Sequence, residues 1–267
     1  MWEDELEAAS RRRFAWLAGI VAAAFLAGGW YWYTHKNLPV AEPAPALTPA
    51  PAADATPQIS HPIASEGADA SALPALNDSD QLAHDSLAGV LGREPVDQLL
   101  VPQNVIRHVV VTVDNLARKK VAVDLRPIKP TPGATVVATQ GDITTIGNDN
   151  YTRYAPLMRV VAATDPKALA VVYQHLYPLF QQAYEDLGYP GKYFNDRLVE
   201  VIDSMLQAPE INTPVAVVQP KVFYEFADPE LEARPAGQKL LIRMGPANER
   251  ALKAKLREFR AEIVKQK

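Results

Sequence analysis

The sequence contains no cysteine among its 267 residues. That absence removes disulfides, thiolate nucleophiles, thiolate zinc sites and covalently attached c-type haem in one step. Basic excess is missing too: 27 lysines and arginines face 31 aspartates and glutamates, for a formal charge of -4, whereas a nucleic-acid-binding domain carries a clustered positive surplus. Nucleic acid is therefore not expected as a partner. No glycine-rich phosphate loop, nucleophile elbow or histidine-glutamate zinc motif occurs, so the sequence points to no cofactor and no metal. Aromatic residues are absent from residue 34 to residue 150, and charged residues are absent from residue 14 to residue 33.

The charge-free stretch, FAWLAGIVAAAFLAGGWYWY from Phe14 to Tyr33, is the most strongly marked segment of the chain. A helix of about 20 residues matches a hydrocarbon core of about 30 Å. Trp30, Tyr31, Trp32 and Tyr33 cluster at one end and Trp16 lies near the other, where amphipathic rings settle at headgroup level. Arg11, Arg12 and Arg13 precede the run and a lone Lys36 follows it, which places the N-terminus in the cytoplasm by the positive-inside rule. The sequence thus predicts a cytoplasmic tail over 1–13, a single transmembrane helix over 14–33 and everything beyond outside the cytoplasm. Bulky aromatics where a peptidase prefers small residues argue against cleavage.

From residue 34 to residue 75 alanine and proline dominate, and the segment reads as a disordered Pro/Ala-rich linker with nothing to bury, holding a distal domain away from the membrane. The exported domain, over 76–267, reads as mainly α with a minor β element. Asn77, Asp78 and Ser79 can cap a first helix that ends at Gly92, and Pro102 can open a second carrying Val105, Ile106, Val109, Val110, Val113 and Leu116 at helical spacing. Val136 to Ile146, with Gly141-Asp142 in its middle, reads as a short hairpin or an irregular excursion, and Val215–Gln219 with Val222–Phe226 as a small two-strand element or two extended arms. Asp165-Pro166 starts a central helix running toward Gly188, which Pro178 is expected to kink or split. Asn150 to Ala163, Tyr193 to Gln207, Pro235 to Met244 and Ala247 to Lys267 complete the helices. The last has an apolar seam at Leu252, Leu256, Phe259 and Ile263, and its basic side, including Lys253, reads as solvated.

Several long motifs occur together: VIR at 105–107 with TVDNL at 112–116, NYTRY at 150–154, LYPLFQQAYEDLGYP at 176–190, YFNDRLVEVID at 193–203, PKVFYEFADPELE at 220–232 and GQKLLIRMGP at 237–246. In these the chain resembles the bacterial family catalogued as domain of unknown function 3014, over about 76–264. The resemblance implies a membrane-anchored bacterial protein of unknown activity and carries no catalytic residue with it.

Two groups could carry chemistry. Asp196, Glu200 and Asp203 fall at spacings of 4 and 3 on one helix face, where like charges repel by a few tenths of a kcal/mol unless a cation, a proton or a partner is shared among them. His175 is a possible base but has no second histidine at ligand spacing. Tyr151, Tyr154, Tyr173, Tyr177, Tyr184 and Tyr193 are candidate binding residues, since a ring with a polar tip suits sugar or peptide recognition as well as core packing. The favoured reading is an interaction or scaffolding domain in the envelope, contacting an envelope protein or cell-wall polymer. The competing reading is a cell-wall-directed hydrolase using the acids of helix 193–207, which requires two carboxylates about 5 to 9.5 Å apart in one concave pocket.

Overall fold

The architecture comes from a computed structural model that describes residues 59–63 and 73–265. The tail over 1–13 and the span over 14–33 lie outside the described residues. Among the described residues no helix is long and apolar enough to cross a membrane.

Ten α-helices and four short strands make up the described domain: α1 (Asp80–Leu91), α2 (Arg93–Leu99), α3 (Val105–Leu116), β1 (Ala138–Gln140), β2 (Ile143–Ile146), α4 (Asn148–Tyr151), α5 (Ala155–Ala163), α6 (Pro166–Asp186), α7 (Phe194–Leu206), β3 (Val215–Val218), β4 (Glu225–Phe226), α8 (Pro229–Glu232), α9 (Ala236–Met244) and α10 (Pro246–Ile263). The mainly helical expectation holds.

Helix α6 starts where its sequence says it should. The Asp165 carboxylate accepts the Lys167 N–H at 2.9 Å, and Pro166 fills the first turn, where its missing donor has no partner to lose. Of the kink or split expected at Pro178, the split does not occur: one helix runs through it from Pro166 to Asp186. An interior proline costs about 3 kcal/mol. Tyr177, Leu179 and Phe180 are buried on either side of it, and a large apolar side chain contributes about 1.5 to 3 kcal/mol when buried, so packing offsets the lost bond. Helices α3, α7 and α10 pack with α6 around this core.

Three features differ from expectation, each for a local reason: an added helix, a shifted helix start and a buried lysine. Gly92, with φ +87°, ends α1 as expected and leads directly into the unexpected α2. Helix α3 starts at Val105 rather than Pro102 because the Asp80 carboxylate reaches across from α1 to accept the Asn104 and Val105 N–H groups at 2.9 and 2.8 Å. In α10, Lys253 is not solvated: it is 3% exposed and lies 2.7 Å from Glu249, itself 1% exposed.

The two expected β segments become one sheet, antiparallel throughout, in the order β1-β2-β3-β4. Gly141 supplies φ +58° at the first position of the β1–β2 turn, a conformation that a side chain opposes. Ile146, Val215, Val217 and Phe226 alternate onto the inner face and form a second small core with Ile242 of α9. Tyr151 belongs to this region: a Cβ at Gly245, where φ is +85°, would stand 2.5 Å from its ring, so glycine is needed there to let the α9–α10 turn approach.

Most of the Pro/Ala-rich segment lies outside the described residues, but one short stretch of it does bury a side chain. Residues 59–63 lie against α7, and Ile63 is 9% exposed within the main core cluster.

Candidate functional site

The N-terminal half of α7 carries Asn195, Asp196, Arg197 and Glu200 within two turns. A loop closed by Tyr189 and Lys192 precedes it, and Tyr193 stands immediately before its first turn. An open pocket of about 560 Å³ lies here, lined by Ile59, Asp114, Tyr184, Tyr189, Gly191, Lys192, Tyr193, Asp196, Arg197 and Glu200.

Its floor is an ionic network. Asp114 of α3 is 5% exposed. Arg197 donates to its carboxylate through Nε at 3.1 Å and to its main-chain carbonyl through Nη2 at 2.9 Å. Arg118 Nη2 donates to Asp114 Oδ2 at 2.7 Å, and the Tyr189 hydroxyl donates to the same oxygen at 3.2 Å. Arg197 Nη1 also lies 2.9 Å from Glu200 Oε1. A buried carboxylate is tolerated only when its lone pairs are this fully met.

The candidate acids divide. Asp196 and Glu200 line the pocket, while Asp203 does not. Asp203 instead receives a two-pronged contact from Arg260 of α10, at 2.5 and 2.8 Å, which ties two helices together. The Glu200 side chain is 64% exposed and paired with Arg197. Asp196 accepts the consecutive N–H groups of Ser60 and His61 at 3.0 and 2.6 Å. All three carboxylates are engaged by donors, and the exposure of Glu200 is not the desolvation that a general acid needs. His175 is exposed on α6 and does not line the pocket.

The tyrosines divide as well. Tyr184 and Tyr193 line the pocket, with Tyr184 stacked on Tyr189 at a ring separation of 4.6 Å. Tyr173 and Tyr177 lie beneath, buried: the Tyr173 hydroxyl donates to Asn195 Oδ1 at 3.1 Å and that of Tyr177 to Gln181 Oε1 at 3.0 Å. Tyr151 and Tyr154 are not at this pocket, and Tyr151 packs with the sheet. Burial pushes the hydroxyls of Tyr173, Tyr177 and Tyr184 above the ordinary phenol range, so none of these three supplies a phenolate at neutral pH.

Residues 59–63 border this pocket as a strap held almost wholly by main chain. Besides the two bonds to Asp196, the Ile63 N–H donates to the Tyr193 hydroxyl at 2.8 Å, and Asn195 Nδ2 donates to the His61 carbonyl at 2.9 Å. Asn195, fully buried, also donates to the Ile263 carbonyl at 3.2 Å, which joins strap, α7 and the end of α10.

Sequence reasoning missed the strap, Asp114 and Arg118. Signals for two of them exist. Asp114 falls four residues after the core residue Val110, an acid on an apolar face that demands a partner, and Ile59 and Ile63 are the only isoleucines between residues 34 and 75.

Fold and site together define a mainly helical domain with a small antiparallel sheet and a polar pocket walled partly by its own N-terminal extension. Residues 105–260 match the family described as protein of unknown function (DUF3014), more than half of the chain, and the protein belongs to that family. The match contains α7 with Tyr193, Asn195 and Asp196, and leaves the strap outside it. No curated protein and no solved structure matches the chain.

Proposed function

We propose that this is a binding module of the bacterial envelope, anchored in the inner membrane through residues 14–33, with an interaction or scaffolding role performed by the 76–267 domain on the periplasmic side. One observation carries the reading. The pocket at α7 combines aromatic faces, an ionic floor and a wall made of peptide held by main-chain bonds, yet each of its carboxylates is already engaged by donors. Such a surface recognises; it offers no spare acid or base for turnover. A hydrolytic role for Asp196 and Glu200 gains only their shared pocket and loses the desolvated acid it requires.

The test is site-specific photocrosslinking in cells of the source bacterium. A photoreactive residue at Lys192, exposed at the pocket rim, is expected to capture one defined envelope protein or cell-wall fragment, while the same residue at Asp142, exposed in the β1–β2 turn, does not. Equal capture from both positions, or from neither, overturns the reading.

A further inference from the structure

The strap bonds to α7 in an unusual way for a tether. Of residues 60–63, Pro62 has no N–H, and the other three N–H groups all donate to side chains of the shelf, two to Asp196 and one to Tyr193. The one carbonyl drawn in, that of His61, receives a buried amide whose other partners already fix its orientation. Side chains contribute little by contrast: Ser60 and Pro62 are exposed, Ile59 is 49% exposed, and only Ile63 is buried. A surface that satisfies backbone donors in series and takes a single apolar side chain is built to recognise extended peptide, with main-chain bonds giving affinity and one side-chain socket giving selectivity.

We infer that the Tyr193–Asn195–Asp196 shelf is a receptor site for an extended segment of a partner protein, with an apolar residue in the Ile63 socket, and that residues 59–63 are its resident, displaceable occupant. This rests on the binding reading of the adjoining pocket. Ile59 forms part of the pocket wall, so a longer incoming segment would run from the shelf into the pocket, past Lys192, Arg197 and Glu200. Only nine residues, 64–72, separate the strap from Leu73. A tether that short holds the strap at an effective concentration on the order of millimolar. The strap therefore works as an autoinhibitory plug that admits only partners able to outcompete it.

The experiment uses the full chain and a fluorescent peptide of residues 58–64, QISHPIA. Ser60→Pro releases the strap by removing one donor at an exposed position, so it does not threaten the core, and Ile63→Asp is a second release variant. Both are checked by thermal melting. The released variants are expected to bind the peptide saturably, at least about tenfold more tightly than the unsubstituted chain, as the loss of intramolecular competition requires. Adding Asp196→Ala to the Ser60→Pro chain should remove that gain, and a peptide carrying Ile63→Asp should not bind. Absence of saturable binding to Ser60→Pro with unchanged melting, or equal binding after Asp196→Ala, overturns the inference. A dimer of the unsubstituted chain that the peptide dissociates also overturns it, because the occupant is then a second copy. Capture of a partner at Lys192 without peptide binding leaves the binding reading standing while this inference fails.

Discussion

The α6–α7–α10 region takes polar groups inside, whereas the four-stranded sheet leaves apolar groups outside. Asp114, Asn195, Glu249 and Lys253 are all nearly inaccessible in or beside the helical core, and each has a partner. On the sheet, Ile143 of β2 and Val218 of β3 are 62% and 49% exposed, and Val222 and Phe223 project from the following turn at 76% and 78%. The contrast teaches where free energy is at stake. A buried charge that loses its partner costs far more than an exposed ring that loses a surface contact.

The largest break in this comparison is expected at Glu249 and Lys253. The two charges approach to 2.7 Å, and the ammonium also donates to the Ala208 carbonyl. Glu249→Leu or Lys253→Met alone leaves one buried charge unpaired and should cost about 3 to 5 kcal/mol. The double replacement is expected to cost less than either single one, because no charge then remains to be desolvated. Denaturant unfolding of the three variants checks this, and additive losses would contradict it.

The sheet should behave in the opposite way. Val222→Ser and Phe223→Ser remove exposed apolar surface with no buried partner, and each is expected to change stability by no more than about 0.5 kcal/mol. In a domain of this size that corresponds to a melting shift of roughly 1 to 2 °C. A drop of several degrees would show that the turn is packed and that the contrast with the helical region is false.

These two regions were also unequally legible in the sequence. Helices α3, α6, α7 and α10 announce themselves because their apolar residues recur at three and four over many turns, a local signal that tertiary packing only confirms. The sheet is different: its two local pairs, β1–β2 and β3–β4, show in the sequence, but β2 meets β3 across about seventy intervening residues, so no local pattern encodes the joining of the two pairs. The seam Leu252–Leu256–Phe259–Ile263 marks only part of the buried arc of α10, and Glu249 and Lys253, whose charge argues for solvent, extend that arc by one row. At the site, Asp196, Glu200, Tyr184 and Tyr193 were legible from residue type and helical spacing. The strap was not, because alanine and proline around Ile59 and Ile63 dominate any reading of composition, and its bonds are made by backbone that every sequence shares.

The smallest expected effect tests whether burial, rather than charge pairing as such, separates strong from weak contacts. His84 on α1 bridges to α2: its Nε2 lies 2.6 Å from Asp97 Oδ1, and its Nδ1 lies 3.4 Å from Asp85 Oδ1. Hydrogen bonding to Asp97, and then to Asp85, holds its pKa above the ordinary imidazole value of 6.5. A histidine raised on folding contributes its stabilisation fully below the unfolded value, and loses it as pH rises through the higher folded one. The α1–α2 contact should therefore be tightest below pH 6.5 and loosen above it. The Asp97 side chain is 55% exposed, so salt screens this contact far more than the Glu249–Lys253 pair. An NMR titration of the His84 ring is expected to give a midpoint above 6.5 at low salt. That midpoint should move back toward 6.5 in Asp97→Asn, move less in Asp85→Asn, and fall again in 1 M salt. A midpoint at or below 6.5 at low salt, or one indifferent to Asp97→Asn, would show that the bridge does not form in solution. If instead 1 M salt leaves His84 unmoved while it abolishes the cost of Glu249→Leu, burial is not what distinguishes the two.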